Sequence, residues 1–147
     1  MDLNMTLIKK HRLHPLANPD KKIEVKIYDD KFEEQNSVIQ LSKVMDITEE
    51  VGSWRKCNQI HNWFVTHVQC GIDDCGKYVV SYETLMELKD TCLNALADKN
   101  PNLLPPAEGF FLGSTEMDDD YWKGIADTLA MLCRLTPDGQ YYYMSSW

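Results

Sequence analysis

The chain has 147 residues, 44% hydrophobic and 26% charged, with a formal net charge of −8 from 15 basic and 23 acidic side chains. That is the size and balance of one globular domain with a real core, and the acidity argues against direct nucleic-acid binding, which needs a basic face. No apolar run approaches the roughly 18–20 residues that span a bilayer. The first residues also lack the basic–apolar–small order of a signal peptide, so the chain reads as unexported and not membrane-embedded.

In chain order, residues 1–42 read as mainly strands. A short mixed run at 5–12 comes first, and Pro15, Asn18, Pro19 and Asp20 supply turn chemistry. At 22–28, Ile23, Val25 and Ile27 alternate with Glu24 and Lys26, the pattern of a half-buried strand, and 38–41 is a further candidate. Residues 43–136 read as mainly helical. Ile47, Val51, Trp54, Asn58, His61, Val65 and Val68 are spaced alternately four and three apart, which predicts one long central helix or two abutting ones over about 43–69, with Gly52 as a soft spot. Gly71 is a candidate C-cap.

A short strand at 78–80 is followed by Ser81 as N-cap of a helix to about Ala97, with Leu85, Leu88, Cys92 and Leu96 on its buried face. A loop through Pro101, Pro105 and Pro106 precedes a last helix, opened by Asp118, Asp119 and Asp120 and lined by Ile125, Leu129 and Leu132. Residues 137–147 read as a turn and a tail whose Tyr141, Tyr142, Tyr143 and Trp147 form an edge or added strand. The expected fold is α+β: a small N-terminal antiparallel β-meander packed with about three α-helices.

Cys57, Cys70, Cys75, Cys92 and Cys133 are odd in number and never spaced CxxC, which favours free thiols over a disulfide framework or a zinc site. Asp73, Asp74 and the acidic run at 118–120 lack the spaced oxygens of a calcium loop. No metal or other cofactor is expected. Cys57 and His61 are neighbours at i, i+4 on a helix, yet no catalytic signature frames them.

The interruption of the central apolar seam by Asn58 and His61 is the most informative feature, because unsatisfied buried polar groups cost about 1–3 kcal/mol each. Either they floor a pocket, with Trp54 as a stacking wall and Arg55 reaching an anion from the rim, or they belong to an internal network. Trp63 falls about 180° from Trp54 on the helical wheel, which marks a partner surface or a second packing layer. In the segment 109–115, Gly113 allows close backbone approach and the hydroxyls of Ser114 and Thr115 suit either a polar ligand or a helix cap.

The stretch Trp54-Arg55-Lys56-Cys57-Asn58-Gln59-Ile60-His61-Asn62-Trp63-Phe64-Val65, with Leu103-Leu104-Pro105, Gly109-Phe110-Phe111-Leu112-Gly113-Ser114-Thr115 and Asp120-Tyr121, resembles the pattern WRKANxIHxWFV…LLP…GFFFGST of a family of small proteins encoded by tailed bacteriophages and prophages. The likeness spans about residues 44–135, with Cys57 where alanine is common and Leu112 where phenylalanine is common. It implies a viral origin and a host-cytoplasmic setting rather than a mechanism, and phage accessory proteins without enzymatic motifs often act by binding.

The expected function is therefore counter-defence by binding, through sequestration of a nucleotide-like immune signal by Trp54, Arg55, Lys56, Asn58, His61, Gly113, Ser114 and Thr115. The alternatives are inhibition of a host defence protein through Trp63, Tyr141, Tyr142, Tyr143 and Trp147, or a small-metabolite enzyme using His61. A second copy of the chain is also an admissible partner.

Overall fold

The computed structural model describes residues 2–12, 44–109 and 112–147. The strand candidates at 22–28 and 38–41, the turn residues at 15–20, and Phe110 and Phe111 lie outside these residues.

The fold is α+β: a four-stranded antiparallel sheet and three helices. The strands are β1 (Asn4–Arg12), β2 (Asp46–Arg55), β3 (Lys77–Val80) and β4 (Gln140–Ser146), and the helices are α1 (Asn58–His67), α2 (Tyr82–Asp98) and α3 (Asp119–Leu132). The sheet order is β2-β1-β4-β3. The N-terminal meander is thus present in part: β1 and β2 pair, and the C-terminal strand joins β1 on its other side. None of the helices among the described residues is long and apolar enough to cross a membrane.

One expected element changes type. The first half of the long central helix is the strand β2, and the helix α1 begins only at Asn58. The cause is a β-bulge. Leu7 pairs with Gly52 and Ile8 with Glu50, so Val51 is an extra residue on β2. On a regular strand Ile47 and Val51 share a face and Trp54 faces away. The inserted residue resets the parity, which returns Trp54 to the helix-covered face. Apolar residues at spacings of four and then three therefore imitate a helical seam.

The core lies on one face of the sheet. The register places Met5 and Leu7 beside Ser145 and Tyr143, and Tyr141 beside Val80. Of these, Leu7 and Tyr143 are completely buried, and Met5, Tyr141 and Val80 nearly so. Ile60 and Phe64 from α1, Leu85, Leu88, Cys92 and Ala95 from α2, and Ile125 and Leu132 from α3 pack into the same cluster. Because β4 is an interior strand rather than an edge, its alternate tyrosines point into this core. Tyr143 stacks on Phe64 at 3.9 Å, and the Tyr141 hydroxyl donates to the Thr136 carbonyl at 2.7 Å, closing the turn before β4.

Local signals set the remaining helix starts. The Ser81 hydroxyl accepts from the Thr84 amide at 3.1 Å, and the Asp118 carboxylate accepts from the Tyr121 amide at 3.0 Å. Asp118 therefore caps α3, the role expected of Ser114 or Thr115. Replacing Ser81 by alanine should cost about 1 kcal/mol of unfolding free energy, read as a lower urea midpoint; an unchanged midpoint would remove the cap from the account.

Burial also ties stability to alkaline pH. It pushes the Cys57 and Cys92 thiols from 9.0 up to about 12, and the Tyr121 hydroxyl from 10.0 up to about 12. Once pH passes 9, the unfolded chain releases these protons while the folded chain keeps them. The unfolded state then binds fewer protons, and stability falls with pH until the folded groups ionise near 12. A urea midpoint that declines steadily above pH 9 is expected, whereas a flat profile to pH 11 would contradict the burial of these groups.

Candidate functional site

The candidate site forms where β2 ends and α1 begins. Lys56 has a φ of 55°, which turns the chain sharply between the two elements. Its amide donates to the carbonyl of the buried Leu3 at 2.8 Å. Cys57 is the N-cap of α1 and makes no side-chain cap hydrogen bond, and no acidic residue occupies the first turn. The positive end of the helix dipole is thus left uncompensated by the helix itself.

Asn58 clamps a distant loop onto this junction. Its amide nitrogen donates to the carbonyls of Leu112 at 3.1 Å and Ser114 at 2.7 Å. Between them Gly113 has a φ of +90°, and a Cβ there would lie 3.2 Å from the Lys56 Cβ. A side chain at 113 is therefore excluded on both conformational and steric grounds. The two most distinctive sequence motifs, more than fifty residues apart, meet through this contact.

A groove of about 590 Å³ opens beside the clamp. Its lining includes Arg55, Lys56, Cys57 and Gln59 from the junction, Ser114 and Glu116 from the loop, and the side of α3 that carries Asp120, Lys123, Gly124 and Asp127. Gly124 explains how the walls meet: a Cβ there would lie 2.9 Å from the Cys57 sulphur and 3.0 Å from the Gln59 amide nitrogen. Gln59, itself buried, donates to the Tyr121 carbonyl at 3.0 Å and locks α1 to α3.

The groove is lined by charges of both signs. The junction contributes Arg55 and Lys56, whose side chains are 69% and 50% exposed. The 112–118 loop contributes Glu116 and Asp118, and α3 contributes Asp120 and Asp127. On α3 Lys123 pairs with Asp127 at 2.6 Å, and Asp118 is engaged in capping. The hydrogen bond from Arg55, and then that from Lys56, holds the Asp2 carboxyl below its ordinary range.

The expected ligand residues divide into two sets. Arg55, Lys56 and Ser114 line the groove, and Asn58 and Gly113 build its junction from behind. Thr115 is exposed next to this loop but is not among the lining residues. Trp54 and His61 stand elsewhere. The Trp54 indole donates to the Thr128 hydroxyl at 2.8 Å and meets Phe64 edge-on at 6.0 Å, so the expected stacking wall is a strut between β2 and α3.

His61 is completely buried in an internal network. Its Nε2 lies 2.9 Å from Asp73 and its Nδ1 lies 2.6 Å from the Tyr143 hydroxyl. A carboxylate only accepts, so Nε2 donates to Asp73, and Nδ1 is the partner of the Tyr143 hydroxyl. With both nitrogens engaged and the Cys57 thiol held protonated by burial, the candidate Cys57–His61 pair is not assembled for nucleophilic chemistry.

The expected partner surface is corrected in the same way. Trp63 is only 5% exposed, stacked on His67 at 4.5 Å and edge-on to Phe64 at 5.4 Å. Of the two readings of Trp63, its burial in the core cluster agrees with a packing layer and not with a partner surface. Tyr141 and Tyr143 are core residues of an interior strand, whereas Tyr142 is half-buried and Trp147 is 37% exposed.

Sequence reasoning missed the α3 wall. Its signal is present in the chain: Asp120, Lys123, Gly124 and Asp127 recur at helical spacing, and a glycine in a helix interior costs about 1 kcal/mol relative to alanine unless close packing requires it. Searches against protein-family models, curated proteins and solved structures find no match to this chain.

Proposed function

We propose that this chain is a phage-type accessory protein that acts by binding, and that the groove between the β2–α1 junction and α3 holds a nucleotide-like small molecule. The observation that carries this reading is that one groove is lined by the cations Arg55 and Lys56 from the junction and by the carboxylates Glu116, Asp118, Asp120 and Asp127 from the loop and α3. A nucleotide suits both sets. Its phosphates suit guanidinium and ammonium groups, and its ribose hydroxyls and base amino groups are donors that carboxylates accept. The uncapped start of α1 adds backbone amides beside the basic wall. The groove volume of about 590 Å³ falls within the range of about 300–1,000 Å³ usual for small-molecule sites.

Binding without turnover would remove a nucleotide-derived signal from a host, which is the counter-defence role that the phage resemblance suggests, exercised in the host cytoplasm. The host-protein reading loses Trp63, Tyr141 and Tyr143 as anchors because they are core residues. The enzyme reading loses His61, whose ring nitrogens are both occupied.

Isothermal titration of the folded protein with ADP-ribose, ATP and cyclic dinucleotides tests the proposal. Saturable one-to-one heat with at least one of these is expected. No heat with any of them would reject it.

A further inference from the structure

The basic wall already holds an anion supplied by the chain itself. The Asp2 carboxylate is hydrogen-bonded to the Arg55 guanidinium and lies 3.2 Å from the Lys56 ammonium. Asp2 is not placed there by a loose end. The next residue, Leu3, is completely buried, and its carbonyl accepts the Lys56 amide at 2.8 Å. The Asp2 carbonyl also accepts from the Asn4 side chain at 3.1 Å. The backbone that follows the carboxylate is therefore tied to β1 and to the turn that carries the two cations.

We propose that Asp2 is a built-in competitor for the anionic part of the groove's ligand, so that Arg55 and Lys56 change partner from Asp2 to a phosphate when the ligand binds. This rests on the nucleotide-binding reading of the groove. A carboxylate and a phosphate make the same charge-assisted hydrogen bonds to a guanidinium, so one displaces the other without leaving either cation unpaired. The exchange is feasible because the existing pair is weak. Both cations are half exposed or more, the Asp2 side chain is one-third exposed, and exposed ion pairs contribute little to stability. Asp2 also adds a fifth carboxylate to the four that line the groove. Its displacement, or its neutralisation, lowers the repulsion that an incoming phosphate meets.

The test compares wild type, Asp2→Asn, Asp2→Glu and Glu87→Gln by calorimetric titration with ADP-ribose, ATP and cyclic dinucleotides, with urea unfolding as a fold control. Glu87 is an exposed carboxylate on α2, outside the groove, and its substitution controls for net charge. The loss of one exposed ion pair predicts about two- to fivefold tighter binding by Asp2→Asn, with Asp2→Glu and Glu87→Gln close to wild type. Wild-type binding with no gain in Asp2→Asn, or an equal gain in Glu87→Gln, would overturn the competitor and leave the groove reading standing. Absence of binding of ADP-ribose, ATP and cyclic dinucleotides alike by wild type and Asp2→Asn, with both folded, would overturn the two together.

Discussion

Replacing His61 by alanine is expected to lower the unfolding free energy by about 3–4 kcal/mol, the sum of a cavity and of a buried hydroxyl left without its hydrogen-bond partner. The imidazole is completely buried and joins three parts of the chain: α1, the Asp73 loop and the interior strand β4. Without it the Tyr143 hydroxyl, itself deep in the core, loses its hydrogen-bond partner among the described residues. Asp73, by contrast, is 36% exposed and is rehydrated, so most of the cost arises at Tyr143. Tyr143→Phe should cost less, about 1–2 kcal/mol, because it orphans only Nδ1. The two effects should not add: once His61 is absent, the Tyr143 hydroxyl is a liability and its removal should recover part of the loss. Urea unfolding of the two single variants and the double variant reads this coupling. Simple additivity would show that the His61–Tyr143 contact does not contribute as described.

The largest expected effect on binding comes from the double substitution of Arg55 and Lys56 by alanine. Two charge-assisted contacts of about 1–1.5 kcal/mol each predict an ADP-ribose affinity about 30- to 150-fold weaker. Both side chains are well exposed and their pairs with Asp2 lie at the surface. The fold should therefore lose no more than about 1 kcal/mol, and the urea midpoint should remain near wild type. A folded double variant that retained wild-type affinity would place the ligand elsewhere.

Features encoded by neighbouring residues were legible in the chain. Ser81 before an apolar seam marks the start of α2, and the acidic run at 118–120 marks the start of α3, because capping and dipole chemistry act within one turn. Features that depend on distant pairing were not. Whether the tyrosines of β4 face solvent or core depends on which strands flank β4, and its neighbour β1 lies at the other end of the sequence, at Asn4–Arg12. The bulge at Val51 defeated the periodicity argument outright, since the extra residue gives a strand the spacing of a helix.

The site shows the same division. The polar gap in the seam at Asn58 and His61 did signal that partners exist. Those partners are Tyr143 and Asp73 for the imidazole, and the Leu112 and Ser114 carbonyls for the amide nitrogen of Asn58, whose buried Oδ1 has no partner among the described residues. Arg55 and Lys56 were visible as cations near a turn. The carboxylates that α3 adds to the same groove required the packing of α3, which Gly124 permits and which spacing along the chain does not reveal.

The most direct measurement is a backbone amide chemical-shift map of the isotopically labelled protein titrated with ADP-ribose. A ligand between the two walls predicts shifts that saturate together at Lys56, Ser114 and Lys123, with the amides around Tyr142 and Trp147 unmoved. Saturable shifts confined to the β4 surface, or none at the three groove residues, would contradict the assignment of the groove as the binding site.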